Sequence, residues 1–118
     1  MKVLLIEADE TTARSLADVF RRQGFSYDHT PLGIDGVDIA TKRCYSYDII
    51  VVGSSPRNVT NIEVLKAIRK AGVSTPIILI LEKHGKVIEV LNLEADDCMV
   101  KPINVYELAA RIRAVTRR

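Results

Sequence analysis

Five short strand-like runs, each followed by a segment with apolar residues at helical spacing, restrict this chain's possible folds more than any other feature. The runs are 2–6, 25–30, 48–52, 75–81 and 98–100. Parallel strands need a crossover connection of roughly a dozen residues, and a helix between each pair of runs supplies it. Asp48 to Val52 and Thr75 to Leu81 are almost uninterruptedly apolar, which marks strands buried on both faces. Phe25 to Thr30 is more polar and suits a sheet edge. With right-handed crossovers, these properties predict an α/β fold, a flavodoxin-like (βα)5 doubly wound parallel sheet of strand order 2-1-3-4-5. At 118 residues the chain has room for one core, so residues 1–118 form one domain.

The helices carry their own start and stop signals. Asp9 is placed to cap a helix over 10–23, with Ala13, Leu16, Ala17 and Phe20 inward and Gly24 as terminator. Pro31 and Gly33 punctuate the turn into a short helix over 34–42, with Val37 and Ala40 inward and Gly36 weakening it. A third helix over 61–71 has Ile62, Leu65 and Ile68 in one stripe and ends at Gly72. A fourth, over 86–93, places Val87, Val90 and Leu91 on one side and Ile88 toward another. Asn104 caps the last helix, which runs to Arg117 with Val105, Leu108, Ala109, Ile112 and Val115 inward.

Composition removes several functions. The net charge is +2, from 17 basic and 15 acidic residues, so no overall field selects nucleic acid or an anionic membrane. Cys44 and Cys98 have neither metal-ligand nor disulfide-frame spacing and read as reduced structural thiols. His29 and His84 read as surface or loop histidines, so neither a metal nor another cofactor is expected. No apolar run approaches the ~20 residues that span a bilayer, and no signal-peptide layout is present. A cytoplasmic location without a membrane partner is the expectation.

In a doubly wound sheet, ligands bind outside the carboxyl ends of the strands, at the switch point between strands one and three. The residues converging there are Glu7, Ala8, Asp9, Gly53, Ser54, Leu81, Glu82 and Lys101. They include no glycine-rich phosphate loop and no paired acid and base, so no enzyme is expected.

Val3-Leu4-Leu5-Ile6-Glu7, Tyr47-Asp48-Ile49-Ile50, Thr75-Pro76-Ile77, Ala95-Asp96-Asp97, Lys101-Pro102 and Glu107-Leu108-Ala109-Ala110-Arg111-Ile112-Arg113 are together specific. On these the chain resembles receiver domains of bacterial two-component response regulators over essentially its full length. Ala95-Asp96-Asp97 and Ala110-Arg111-Ile112-Arg113-Ala114 resemble the branch with a C-terminal winged-helix DNA-binding domain. Leu32-Gly33 with Gly36-Val37-Asp38 looks most like its alphaproteobacterial cell-cycle master regulators.

The resemblance implies a phosphorylation site in which a carboxylate nucleophile attacks while a divalent cation and a lysine neutralise the transferring oxygens. Glu7 and Lys101 match that pattern, and Asp9 lies beside it. Ala8 stands where the directly ligating carboxylate belongs, Gly53 at the acceptor, Leu81 at the switch hydroxyl and Cys98 at the aromatic switch. Glycine has no side chain to phosphorylate, so the expectation is a degenerate, phosphorylation-independent receiver. Ser54 and Ser55 lack a base and a held metal and are not expected to substitute, while Glu7 and Lys101 are expected to form a structural ion pair.

The same resemblance implies a symmetric homodimer through the fourth helix, fifth strand and fifth helix. Ile88, Leu91 and Ala110 would form its apolar patch, Asp97 and Arg111 a pair across the two-fold axis, and Asp96, Glu107 and Arg113 the surround. Val87 replaces the basic residue expected opposite Glu107, leaving that role to Lys86 or Lys83. DNA would be reached only through a domain beyond Arg118, with a regulatory protein as a possible further partner. The alternative is a stand-alone adaptor that docks on a kinase, a phosphotransferase or a protease adaptor and has no DNA role.

Overall fold

The computed structural model describes residues 1–54, 59–83 and 87–117. Within them the order is β1 (Lys2–Ile6), α1 (Glu10–Arg22), β2 (Ser26–Thr30), α2 (Gly33–Lys42), a single 3₁₀ turn (Cys44–Ser46), β3 (Ile49–Val52), α3 (Asn61–Lys70), β4 (Ile77–Leu81), α4 (Val87–Asn92), β5 (Asp97–Val100) and α5 (Val105–Thr116). The strands form one parallel sheet, β2-β1-β3-β4-β5. Fold and strand order are those expected from the sequence.

Alternate residues of each central strand feed two cores, as the period-two geometry of a strand requires. Leu4, Ile6, Ile50, Val52, Ile77 and Leu79 pack with Ala40, Val64, Leu65, Ile68 and Val90 of α2, α3 and α4. Val3, Leu5, Ile49, Val51, Ile78 and Ile80 pack with Leu16 and Phe20 of α1 and Leu108, Ile112 and Val115 of α5. β3 is buried at every residue and lies in the middle of the sheet order.

Gly24 and Gly72 end α1 and α3 in the left-handed region, with φ of 77° and 84°. Each closes a turn in which the following residue's N–H reaches back to the helix: Phe25 N to Phe20 O at 2.8 Å and Val73 N to Ile68 O at 3.4 Å. α4 ends in the same way, but with Glu94 at φ 69°, a conformation that costs a side-chain-bearing residue energy. Gly36 differs in kind. A Cβ there would lie 2.3 Å from Ile6 Cδ1, so the residue expected to weaken α2 is what lets that helix sit on β1.

At the start of α5, Asn104 Oδ1 accepts from the N–H groups of Tyr106 (3.0 Å) and Glu107 (3.1 Å). Asn104→Ala is expected to cost about 1 kcal/mol, read as a lower urea midpoint with an unchanged slope.

Every helix begins at the carboxyl end of the sheet, and charge follows that polarity. First turns carry Glu10, Asp35, Glu63, Glu89 and Glu107; last turns carry Arg21, Arg22, Lys42, Arg69, Lys70 and Arg113. Arg69 does more than complement a helix end. Its guanidinium donates to the carbonyls of Val73 (2.9 Å), Thr75 (2.8 Å) and Glu94 (3.0 Å) and pairs with Asp96 Oδ2 at 2.9 Å. Asp96 Oδ2 also accepts from Ile77 N at 2.8 Å, so one ion pair joins the ends of α3 and α4 to the starts of β4 and β5.

Candidate functional site

The crevice at the strand ends is built by continuing the β1–β3 ladder past both strands. Gly53 N donates to Ile6 O at 2.8 Å, and Ala8 N donates to Ser54 O at 2.9 Å. Between them Glu7 is anchored through its backbone, N to Thr30 O at 3.1 Å and its carbonyl to His29 Nε2 at 2.9 Å. Its side chain therefore crosses from β1 toward the end of β3, where it is wholly buried.

The carboxylate is satisfied entirely by neighbouring loops. Oε2 accepts from Asp9 N at 2.9 Å and from the Ser54 hydroxyl, and Oε1 accepts from Ser54 N at 3.3 Å. Gly53 makes this possible. A Cβ built on Gly53 would stand 2.2 Å from Glu7 Oε1 and 2.9 Å from Glu7 Cδ, so the carboxylate lies in the volume a side chain at 53 would need. Gly53 is buried and its backbone is outside the left-handed region, so conformational need does not explain the glycine.

The other expected site residues are distributed around this centre. Asp9 is the N-cap of α1, its Oδ2 accepting from Thr12 N (2.9 Å) and Thr12 Oγ1 (2.6 Å). The Thr12 hydroxyl bond leads in holding its carboxyl below the usual carboxylate range. Lys101 does not pair with Glu7: its Nζ meets Glu82 Oε1 at 2.9 Å, because Glu7 is turned inward and already satisfied. Leu81 is buried in the core shared with α3 and α4. Cys98 lines a hollow of about 350 Å³ with Val87, Met99, Val100, Glu107 and Arg111. Burial, followed by the Asp97 carboxylate, pushes its thiol pKa up, as suits a structural cysteine. Ser55 lies outside the described residues, but Ser54 has the carboxylate partner that sequence reasoning denied it. Asn61, not anticipated, ties the start of α3 to the sheet by donating from Nδ2 to Ile80 O at 2.7 Å.

These residues do not fit a magnesium ion, which needs an octahedral set of oxygens with carboxylates facing it. Ala8 and Gly53 supply no carboxylate, Asp9 is committed to the α1 cap, and both Glu7 oxygens are occupied by protein donors. Among the described residues no group of three or more His, Cys, Asp or Glu side chains could hold a metal.

On the far side of β5, Ile88 (76% exposed) and Leu91 (45% exposed) project outward from α4. Leu91 thus leaves the inward side it was expected to share with Val90. Ala110 is exposed on α5. Arg111 Nη1 pairs with Asp97 Oδ2 at 3.0 Å, and Nη2 with Glu107 Oε1 at 3.0 Å, all within one chain. Glu107 therefore has a basic partner in Arg111, although Val87 supplies none; Lys86 lies outside the described residues. Asp96 faces Arg69 at the opposite end of the sheet from the crevice. Arg113 bonds to Gln23 and lies 5.2 Å from the Phe25 ring centroid, on the α1 side of α5. The structure thus joins Asp97, Glu107 and Arg111 and leaves Ile88, Leu91 and Ala110 exposed, whereas Asp96 and Arg113 are engaged by Arg69 and by Gln23 with Phe25.

The family model described as "Response regulator receiver domain" matches residues 3–113. The chain belongs to the response regulator receiver domain family. Such receivers are regulatory domains, not enzymes. The chain is 37% identical over 121 residues to the cell cycle transcriptional regulator CtrA of Caulobacter vibrioides and 38% identical over 120 residues to the cell cycle response regulator CtrA of Brucella ovis. Each match covers 100% of this chain and 51% of the relative, so the receiver spans about half the length of these curated relatives. The solved Francisella response regulator 1452 receiver domain superposes with a TM-score of 0.90 at 27% identity, over 99% of this chain and 97% of that one. A Clostridium thermocellum receiver, at 20% identity and a TM-score of 0.89 over 99% and 94% of the two chains, shares the fold. No helix among the described residues is long and apolar enough to cross a membrane.

Proposed function

We propose that this receiver is silent to phosphorylation and serves as a constitutive dimerisation and regulatory module of a bacterial transcription regulator. The observation that carries the reading is Gly53: the strand end that bears the family's acceptor has no side chain, and the Glu7 carboxylate occupies the space for one. In an ordinary receiver, phosphorylation shifts a two-state equilibrium toward the dimer-competent form. Here sequence alone sets that equilibrium, and concentration or a protein partner regulates the output. The transcriptional role follows the relatives named cell cycle regulators, with DNA reached through a C-terminal domain of the kind that the resemblance implies.

The dimer face we favour is the exposed patch of Ile88, Leu91 and Ala110, bordered by Asp97, Glu107 and Arg111. Arg111 is already paired within its own chain, so turning it to a partner's carboxylates exchanges equivalent contacts. Exposed pairs contribute only about 0 to 1 kcal/mol, so burial of the apolar patch must drive association.

Acetyl phosphate labelling and sedimentation analysis test the two halves of this reading. No phosphate uptake and a dimer insensitive to Mg²⁺ are expected; labelling or Mg²⁺-dependent dimerisation defeats the reading. Ile88→Asp with Arg111→Glu is expected to sediment as a folded monomer. A persistent dimer would assign association to another surface.

A further inference from the structure

We infer that Glu7, Gly53 and Ser54 form a cation-independent latch that joins the start of the β1–α1 connection to the end of β3. This inference rests on the phosphorylation-silent reading above and goes beyond it. A silent site needs only the loss of its acceptor, whereas the geometry here shows three residues fitted to one another.

The fit has three parts. First, the notch at Gly53 has room for the carboxylate only because residue 53 lacks a Cβ; the 2.2 Å approach to Oε1 is far inside any contact distance. Second, three donors converge on the seated carboxylate, one from the β1–α1 connection (Asp9 N) and two from the end of β3 (Ser54 N and Ser54 Oγ). Third, Glu7 is wholly buried with no cation within ion-pair distance among the described residues, so these hydrogen bonds must offset its desolvation. A buried carboxylate held in this way resists displacement, because any other position leaves it or its donors unsatisfied. The β1 and β3 ends are thus joined by protein groups at the place where the family joins them through a metal.

Glycine at 53 is therefore a requirement of Glu7, and thermal unfolding of six proteins, with and without Gly53→Ala in three backgrounds at residue 7, tests it. Gly53→Ala is expected to lower Tm by more than about 4 °C in the natural background, because the added methyl expels the carboxylate. In a Glu7→Ala background the same change is expected to leave Tm unchanged or raise it by a few degrees, since Gly53 is not in a left-handed conformation and alanine restricts the unfolded chain. With Glu7→Gln, which keeps the side chain's length, the loss is expected to persist. Equal losses in all three backgrounds would overturn the latch.

Because Glu7→Ala can fail to fold, a second measurement uses the unaltered protein. The Asp9 and Ser54 amides are expected to exchange slowly with solvent and to show no saturable NMR shift on addition of millimolar MgCl2. Rapid exchange of both, or saturable shifts, would also overturn the latch. The two ideas fail separately: phosphate labelling with the stability coupling intact sinks the silent reading alone, and absent coupling without labelling sinks only the latch.

Discussion

Gly53→Asp is expected to take up no detectable phosphate from acetyl phosphate and to lose about 3 kcal/mol or more of folding stability in urea. Restoring the missing acceptor would ordinarily be the obvious way to revive a receiver, but here the space is taken. The new Cβ would lie 2.2 Å from Glu7 Oε1, and the new carboxylate would enter beside one that is already buried. Overpacking and like-charge burial act together, and Ala8 adds no ligand for a cation that could neutralise the pair. Adding Ala8→Asp is expected to raise labelling above that of the single variant. Adding Glu7→Asp as well, which shortens the obstructing side chain by one methylene, is expected to raise it further. Efficient labelling of Gly53→Asp alone would show that Glu7 yields its position readily and that Ala8 is not the obstacle to metal binding.

Arg69→Ala is expected to cost about 2 to 3 kcal/mol, because it breaks an ion pair between a mostly buried guanidinium and a partly exposed carboxylate and removes the donors of three carbonyls. Asp96 would keep its bond from Ile77 N but lose its counter-charge. Arg69→Lys is expected to recover only part of the loss, since one ammonium cannot reproduce the planar fork that reaches Glu94, Val73, Thr75 and Asp96 together. Chemical denaturation of the three proteins decides the matter. A loss below about 1 kcal/mol for the alanine variant would place Arg69 with ordinary surface residues.

The fold was legible because its determinants are local and repeated. Apolar runs without polar interruption named the central strands, and Asp9, Gly24, Gly72 and Asn104 marked helix ends with residues whose chemistry suits those positions. Element type and order followed directly, and boundaries moved by only one or two residues, as at β4, which begins at Ile77 and not at Thr75. Side-chain partnerships were harder to read. Lys101 and Glu7 both stand at strand ends, which suggests a pair, but sequence position does not say which way a carboxylate turns. That direction depends on Gly53 and Ser54, forty-six and forty-seven residues further along the chain.

The proposed surface shows the same limit. The resemblance to other receivers places Asp96, Asp97, Glu107, Ala110, Arg111 and Arg113 on one surface. Only the packing of α3 and α1 diverts Asp96 to Arg69 and Arg113 to Phe25. Gly36 carried a readable signal that was given the wrong sign, since a glycine inside a helix marks either a weak point or a close approach, and here Ile6 makes it the second.

The shared direction of the helices separates acidic from basic helix ends although the net charge is only +2. Acidic first turns lie at the end that holds Glu7 and basic last turns at the end where α5 stops, although Glu10 and Glu107 are paired with Arg14 and Arg111, and Arg22, Lys42 and Arg69 with Asp18, Asp38 and Asp96. A diffusing anion is expected to meet the second end more readily than the first. Added salt, which shortens the range of these fields to about 8 Å at physiological strength, should quicken anion encounter at the Glu7 end and slow it at the opposite one.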